Sequence, residues 1–200
     1  MKFYRLLLII PLMILMGCND YSLQDPFEGP NGLWGYKDEG GKIRIKPKYS
    51  IARVFCNGFS RVYLNGKWGF INKTGKEVVP PKYNKVGDFF ENGLAPVKLN
   101  NMWGFVDKTG KEVVPPKYDG VEEFSDGLAE VGLGDYDNRK WGFVNEQGKE
   151  VIPPKYDAVW NFREGFATVR LDGRWGYVDK KGNEYLDMTE DQARQRMKKR

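Results

Sequence analysis

The chain repeats itself, and that limits the folds open to it more than any other feature. The stretch Lys67-Trp68-Gly69-Phe70-Ile71-Asn72-Lys73-Thr74-Gly75-Lys76-Glu77-Val78-Val79-Pro80-Pro81-Lys82-Tyr83 returns almost letter for letter from Met102 to Tyr118, and again from Lys140 to Tyr156. A looser copy runs from Leu33 to Tyr49, and a truncated one begins at Arg174. Five pairs set the register: Trp34-Gly35, Trp68-Gly69, Trp103-Gly104, Trp141-Gly142 and Trp175-Gly176. Two of the four steps between these Trp residues are 34 residues; the step from Trp68 is one longer and the step from Trp103 four longer, its extra residues falling between Gly132 and Asn138. A fixed period of this length marks tandem units that each bury a face on the next, and insertions belong in the loops between strands.

Each unit carries strand and turn signals. Ser60, Val62 and Leu64, with their counterparts at 95–99, 129–133 and 167–171, alternate with residues such as Arg61, Lys98, Glu130 and Arg170, and a period of two predicts half-buried β-strands. Asn65-Gly66, Asn100-Asn101 and Asp172-Gly173 supply the positive φ of tight hairpins, after which the next strand begins at the Trp. A second turn, Lys73-Thr74-Gly75-Lys76 and its copies, leads to a third strand that Pro80 and Pro81 end by removing two donors. Each unit therefore reads as a three-stranded antiparallel meander plus a loop from Tyr to Phe, for example Tyr118 to Phe124. A 34-residue unit is short for a four-stranded propeller blade, which takes ~40–45 residues. The expected fold is all-β: an open, twisted, solenoid-like array of meanders, with a closed β-propeller as the alternative.

These residues resemble the WG (KWG) repeat family, whose units carry Trp-Gly-Phe/Tyr, a hydrophobic residue and Asp/Asn, then Gly-Lys, then a Pro-Lys-Tyr block. The resemblance covers Leu33 to Tyr185. It implies a β-rich array, often exported, that acts as a binding or scaffolding module, with no catalytic residues to carry over. The fifth copy departs from the pattern, because Asp187-Met188-Thr189-Glu190 stands where Pro-Pro-Lys-Tyr is expected.

The N-terminus reads as an address. Lys2 and Arg5 precede an uncharged apolar run from Leu6 to Met16, shorter than the ~20 residues of a spanning helix, as in an export signal. The run ends in Leu15-Met16-Gly17-Cys18, which resembles a bacterial lipobox and implies a lipid on Cys18 that anchors the protein to a membrane of the cell envelope, the outer membrane or cell surface being favoured. Residues 1–17 are then the signal peptide and 18–32, rich in Pro, Gly and Asx, the tether. Residues 33–186 form the repeat domain, four units and a truncated fifth, and 187–200 a basic C-terminal helix opened by a capping box at Thr189 and Gln192. With Cys18 occupied, Cys56 is expected to stand alone at a surface or half-buried position.

Charge and composition narrow the function. The net charge of +5 loses Lys2 and Arg5 with the signal, and the tail supplies most of the remainder, so the nearly neutral repeats predict no nucleic-acid partner. There is no histidine, no phosphate loop and no nucleophile elbow, so no enzyme activity, catalytic residue, metal or cofactor is expected. The loop Gly134 to Asn138 lacks the glycine and distant glutamate of a calcium loop. Glu122 and Glu123 are read as outward strand residues, although paired carboxylates run glycoside hydrolysis. The Trp-Gly residues are expected to be mainly structural, their rings filling the core and their glycines admitting a close backbone. Tyr49, Tyr83, Tyr118 and Tyr156, with Phe55, Phe89, Phe124 and Phe162, are expected to fill the gaps between units. Trp160, the one Trp outside a Trp-Gly pair, is the candidate for an exposed aromatic contact. The expected function is a lipid-anchored envelope module that binds a protein or glycan. The alternatives are an accessory or weak hydrolase acting on peptidoglycan or polysaccharide, and a spacer without a ligand.

Overall fold

The computed structural model describes residues 25–199; the signal segment and Cys18 lie outside them. Five small antiparallel sheets follow one another along the chain, each a meander whose strands pair in sequence order. The first sheet holds β1 (Asp25–Glu28), β2 (Trp34–Lys37) and β3 (Ile43–Tyr49). The second holds β4 (Ile51–Ala52), β5 (Phe59–Leu64), β6 (Lys67–Asn72) and β7 (Glu77–Tyr83). The third holds β8 (Lys85–Val86), β9 (Leu94–Leu99), β10 (Met102–Asp107) and β11 (Glu112–Tyr118). The fourth holds β12 (Gly120–Ser125), β13 (Leu128–Leu133), β14 (Lys140–Asn145) and β15 (Glu150–Tyr156). The fifth holds β16 (Ala158–Val159), β17 (Phe166–Leu171), β18 (Arg174–Asp179) and β19 (Glu184–Leu186), and the chain closes with α1 (Glu190–Lys198).

Three features differ from the sequence reading. The segment from Tyr to Phe contains a fourth strand, as where Lys85 and Val86 pair with Lys98 and Val97; most of these strands are only two residues long, too short to show a period. The tether is shorter than expected, because Asp25 to Glu28 pair with Lys37 to Trp34 and so belong to the first sheet. The prolines do not end the third strand. Trp68 pairs with Tyr83 and Phe70 with Val79, so the strand runs through Pro80-Pro81-Lys82 as a bulge. Pro is tolerated there because a bulged residue has no ladder bond to lose. Gly69 sits opposite, and a Cβ on it would collide with the Val79 carbonyl and the Pro81 nitrogen; Gly104 and Gly142 meet the same crowding. The glycine of each Trp-Gly pair thus admits the bulge of the neighbouring strand.

The core lies between the sheets, in four layers. Tyr36, Tyr49, Phe55 and Val62 join the first sheet to the second. Phe70, Tyr83, Phe89 and Val97 join the second to the third, and Phe105, Tyr118 and Val131 the third to the fourth. Phe143, Tyr156, Phe162 and Val169 join the fourth to the fifth. None of these layers joins the fifth sheet to the first, so the array is open. The repeated Tyr and Phe fill the gaps as expected, Phe124 being half-buried. The Trp rings do not: Trp34, Trp68, Trp103 and Trp141 are half-buried, and Trp175 is 43% exposed. They lie at the hairpin end of each sheet against the cross-strand residue, Trp68 on Tyr63 with ring centroids 5.1 Å apart and Trp103 beneath the Lys98 ammonium at 5.5 Å. A ring two residues further on, such as Phe105, takes the core position instead.

A polar clamp repeats with each layer. Tyr83 donates to Glu112 of the next sheet at 2.8 Å and Lys82 pairs with the same carboxylate at 2.9 Å. Tyr118 and Lys117 hold Glu150, and Tyr156 and Lys155 hold Glu184, in the same way. Each Lys also lies over its own Tyr ring, at 5.0 Å for Lys82. The bonds from Lys82 and then Tyr83 hold the Glu112 carboxyl below its ordinary range, while burial and then the Glu112 carboxylate push the Tyr83 hydroxyl up. Each hydroxyl therefore stays a donor and each carboxyl an acceptor.

Cys56 is buried and is disulfide-bonded, not the solitary surface or half-buried cysteine expected from the sequence. The capping box on α1 forms as expected, Thr189 accepting from Gln192. Among the described residues no helix is long and apolar enough to cross a membrane.

The burial difference is measurable. Phe105→Ala is expected to destabilise by ~3–5 kcal/mol and Trp103→Ala by less than half as much, as read from urea unfolding; equal losses would return the Trp ring to the core.

Candidate functional site

The fifth sheet has no sheet beyond it, and its outer face is where the array meets solvent. On β18 the alternation places Val178 inward, in the layer shared with the fourth sheet, and Trp175 and Tyr177 outward. The equivalent residues of the third sheet, Trp103 and Phe105, face the fourth. The core Phe of that position is replaced here by Tyr, whose hydroxyl can meet water. α1 covers part of the face: its Ala193 is buried, and the Arg194 guanidinium lies 4.4 Å from the centre of the Phe166 ring. In the second sheet the matching ring, Phe59, lies under Lys108 of the next sheet at 5.8 Å. The helix thus stands where a further unit would stack.

What the helix leaves uncovered is a groove of about 690 Å³ lined by Trp160, Asn161, Arg163, Thr168, Trp175 and Tyr177, with Glu190 and Arg194 on the helix side. Trp160 is 52% exposed, as its lack of aromatic equivalents suggested, and its ring meets Trp175 with centroids 4.8 Å apart and planes inclined at 45°. The strand edge holds Trp160 in place through a backbone bond from its N–H to the Thr168 carbonyl at 3.0 Å. Arg170 lies over the Trp175 ring at 5.5 Å, and Arg194 is held by Glu190 and Glu164 at 2.9 and 2.7 Å. Two open rings bordered by amide, hydroxyl, carboxylate and guanidinium groups can stack on a ligand and hydrogen-bond its edge.

A second hollow of about 540 Å³ shares Trp160 and Asn161 with the first and is lined also by Glu122, Glu123, Phe124, Ser125 and Glu130. Burial, and then the charge of Glu122, push the Glu130 carboxyl from 4.5 up to about 7. The sequence reading treated Glu130 as one more outward strand residue. The signal it missed is positional: Arg61, Pro96 and Thr168 occupy the same place in the other units, so this unit alone sets a carboxyl there beside another at Glu122. Among the described residues no group of three or more potential metal ligands occurs.

The expected lipidation residue, Cys18, lies outside the described residues. The Trp-Gly residues are not brought together into one site: four pairs are spread along the array, and only Trp175 joins Trp160.

The raised Glu130 carboxyl makes stability fall as pH rises. Its contribution is complete below about pH 4.5 and is lost as pH passes through about 7. Glu130→Gln lacks this dependence, so its melting temperature relative to wild type is expected to climb between pH 4.5 and 7.5; parallel curves would show that Glu130 titrates normally.

Among solved structures, Hsv2p of Kluyveromyces lactis is similar to this chain at 13% identity, with a TM-score of 0.43 and coverage of 78% of this chain and 56% of that one. Hsv2 of Kluyvelomyces marxianus gives 13% identity and a TM-score of 0.43, covering 77% and 54% respectively. The chain thus spans a little over half the length of either protein, and likeness at this level carries no functional argument. No curated protein matches the chain. The WG containing repeat, in contrast, matches four times in tandem, at residues 34–68, 68–103, 103–136 and 141–175. The spacing of the Trp-Gly pairs, the bulge opposite each glycine and the Tyr-Lys-Glu clamp between sheets are the physical content of that match, and the chain belongs to the WG repeat family.

Proposed function

We propose that this protein is a lipid-anchored binding module of the bacterial cell envelope, and that the groove at the end of its array takes a glycan. The observation that carries the reading is the exposed Trp160–Trp175 pair. Sugar rings present apolar C–H faces that stack on aromatic rings and hydroxyls that need partners at the edge. Asn161, Thr168, Glu190 and Arg194 border the groove and supply such partners. A purely architectural spacer gives no account of two large rings left in water on the outer face of the last sheet.

The test is a titration of soluble peptidoglycan fragments and chitooligosaccharides, followed by Trp fluorescence. Trp160→Ala is expected to weaken binding at least ~10-fold, about 1.4 kcal/mol, with little change in melting temperature. Undiminished binding in that variant would rule out the groove, and binding of unstructured peptides in preference to sugars would move the ligand class to protein.

One observation favours a second reading, hydrolysis of the bound glycan. A carboxyl raised to about 7 beside Glu122, in a hollow that adjoins Trp160, is the kind of acid and carboxylate pair that glycoside hydrolysis uses. Release of reducing ends that disappears in Glu130→Gln supports that activity; absence of release leaves the protein a binder.

The anchor is supported by the lipobox-like Leu15-Met16-Gly17-Cys18. A diacylglycerol thioether would occupy the Cys18 sulfur. Intact mass of protein extracted from membranes is expected to show a chain that begins at Cys18 and bears acyl groups; an unacylated chain would remove the anchor from the proposal.

A further inference from the structure

One position in the middle of β5, β9 and β13 faces the next sheet, and each unit fills it differently. In the second sheet it is Arg61, which reaches across the gap and pairs with Asp88 of the third unit at 2.8 Å. In the third sheet it is Pro96, whose ring lies so near Gly87 that a Cβ there would collide with it. In the fourth sheet it is Glu130, and the residue of the fifth unit that matches Asp88 is Asn161. Where the gap between the second and third sheets holds a cation and a carboxylate, this one holds a carboxyl and an amide. It is the hollow of about 540 Å³. Ser125 donates to the Phe162 carbonyl at 2.8 Å and ties the two sheets together along one wall of it.

Every charged group that lines this hollow is a carboxyl: Glu122, Glu123 and Glu130. The first two are exposed, and Glu130 is half-buried, opposite Phe143 of β14. Burial and then Glu122 push the Glu130 carboxyl up to about 7, and no cation stands near enough to bring it down. On the same sheet Arg139 is turned to the hairpin end, where it lies 5.6 Å from the Trp141 ring centre and against Gly120 and Gly132. Arg163 and Arg194 stand in the groove beyond Trp160. The hollow and the groove meet at Trp160 and Asn161, which line both, so a ligand stacked on Trp160 has the three carboxyls beside it.

We infer that the glycan bound here carries free amino groups, with its sugar rings on Trp160 and Trp175 and a protonated amine in the hollow among Glu122, Glu123 and Glu130. The inference rests on the glycan reading above for the rings, and on the hollow itself for the amine. An ammonium is a compact charge with three donors and no acceptor, and it enters the gap that the Arg61 guanidinium fills between the second and third sheets. Charge-assisted bonds to carboxylates are shorter and about twice as strong as neutral ones. An opposite charge favours the ionised carboxyl, so the ammonium draws Glu130 down from about 7 and its proton leaves for solvent. An acetylated amine has no charge and a single N–H, and does neither. Ionised Glu130 is not an acid for hydrolysis, so the amine belongs with the binding reading.

The test titrates the full chain with glucosamine oligomers and with N-acetylglucosamine oligomers of the same length, at about pH 7, where Glu130 is half protonated. The glucosamine oligomer is expected to bind at least ~10-fold tighter and to release protons, read in calorimetry as a heat that depends on the buffer; the acetylated oligomer releases none. Glu122→Gln and Glu130→Gln are each expected to bring the two ligands to within ~3-fold, whereas Glu39→Gln, an equal charge change at an exposed turn of the first sheet, keeps the preference. Glu122 is exposed, so its substitution leaves the core untouched, and melting curves of both variants check the fold. Equal binding of the two oligomers, or a preference that survives both hollow variants, would overturn the inference and leave the glycan reading standing. Binding of neither oligomer removes both.

Discussion

Everything in this array depends on how one sheet holds the next. A four-stranded sheet of this size cannot bury enough apolar surface by itself, so it is stable only with a neighbour on its face. The layer between sheets solves two problems at once. Tyr and Phe rings fill it, and the Tyr hydroxyl, which would be costly to bury without a partner, reaches its edge and donates to the Glu of the following sheet, where Lys meets the same carboxylate. Packing and polar satisfaction therefore require the same geometry. The bulge through Pro-Pro-Lys serves this end, since it swings Lys and Tyr into place, and the glycine after each Trp makes room for it.

The repeat and its strand periods made much of the fold legible from the residues alone: the all-β class, the open array, the tight turns, the capped helix and the Tyr and Phe that lie between units. What escaped the reading did so for physical reasons. Two-residue strands such as Lys85-Val86 carry no alternation to detect. Pro80-Pro81 removes donors from a ladder, which looks like a stop, but a bulge leaves those positions without ladder partners anyway. Trp was assigned to the core on size, yet only a ring in register with the layer can enter it, and that register belongs to Phe70, Phe105 and Phe143. The clamp acceptors Glu77, Glu112, Glu150 and Glu184 read as ordinary charged strand residues, because their partners lie about 30 positions away.

Of the candidate site, Trp160 was visible as a break in the pattern, but its partner was not. Trp175 belongs to the signature that is half-buried elsewhere, and it is exposed only because it lies on the last sheet. Glu130 was hidden for the opposite reason, since its sequence neighbours are ordinary and its perturbation arises from burial and then from Glu122 on the adjacent strand. In a repeat protein the informative positions are those where a unit departs from its copies and those where a copy has no neighbour. This site combines both.

The two ends of the clamp series are incomplete in complementary ways. The first unit has Ile43 where later units carry the acceptor Glu, and the fifth ends in Asp187-Met188-Thr189-Glu190 where earlier units carry the donors Lys and Tyr. A second copy of the chain set end to end would thus bring a face with no donors to one with no acceptor, and the polar edge of the layer would not form. A unit duplicated between the ends would meet both donors and acceptor, so the Tyr-Lys-Glu clamp can be extended within one chain and is not remade where the two ends of separate copies meet.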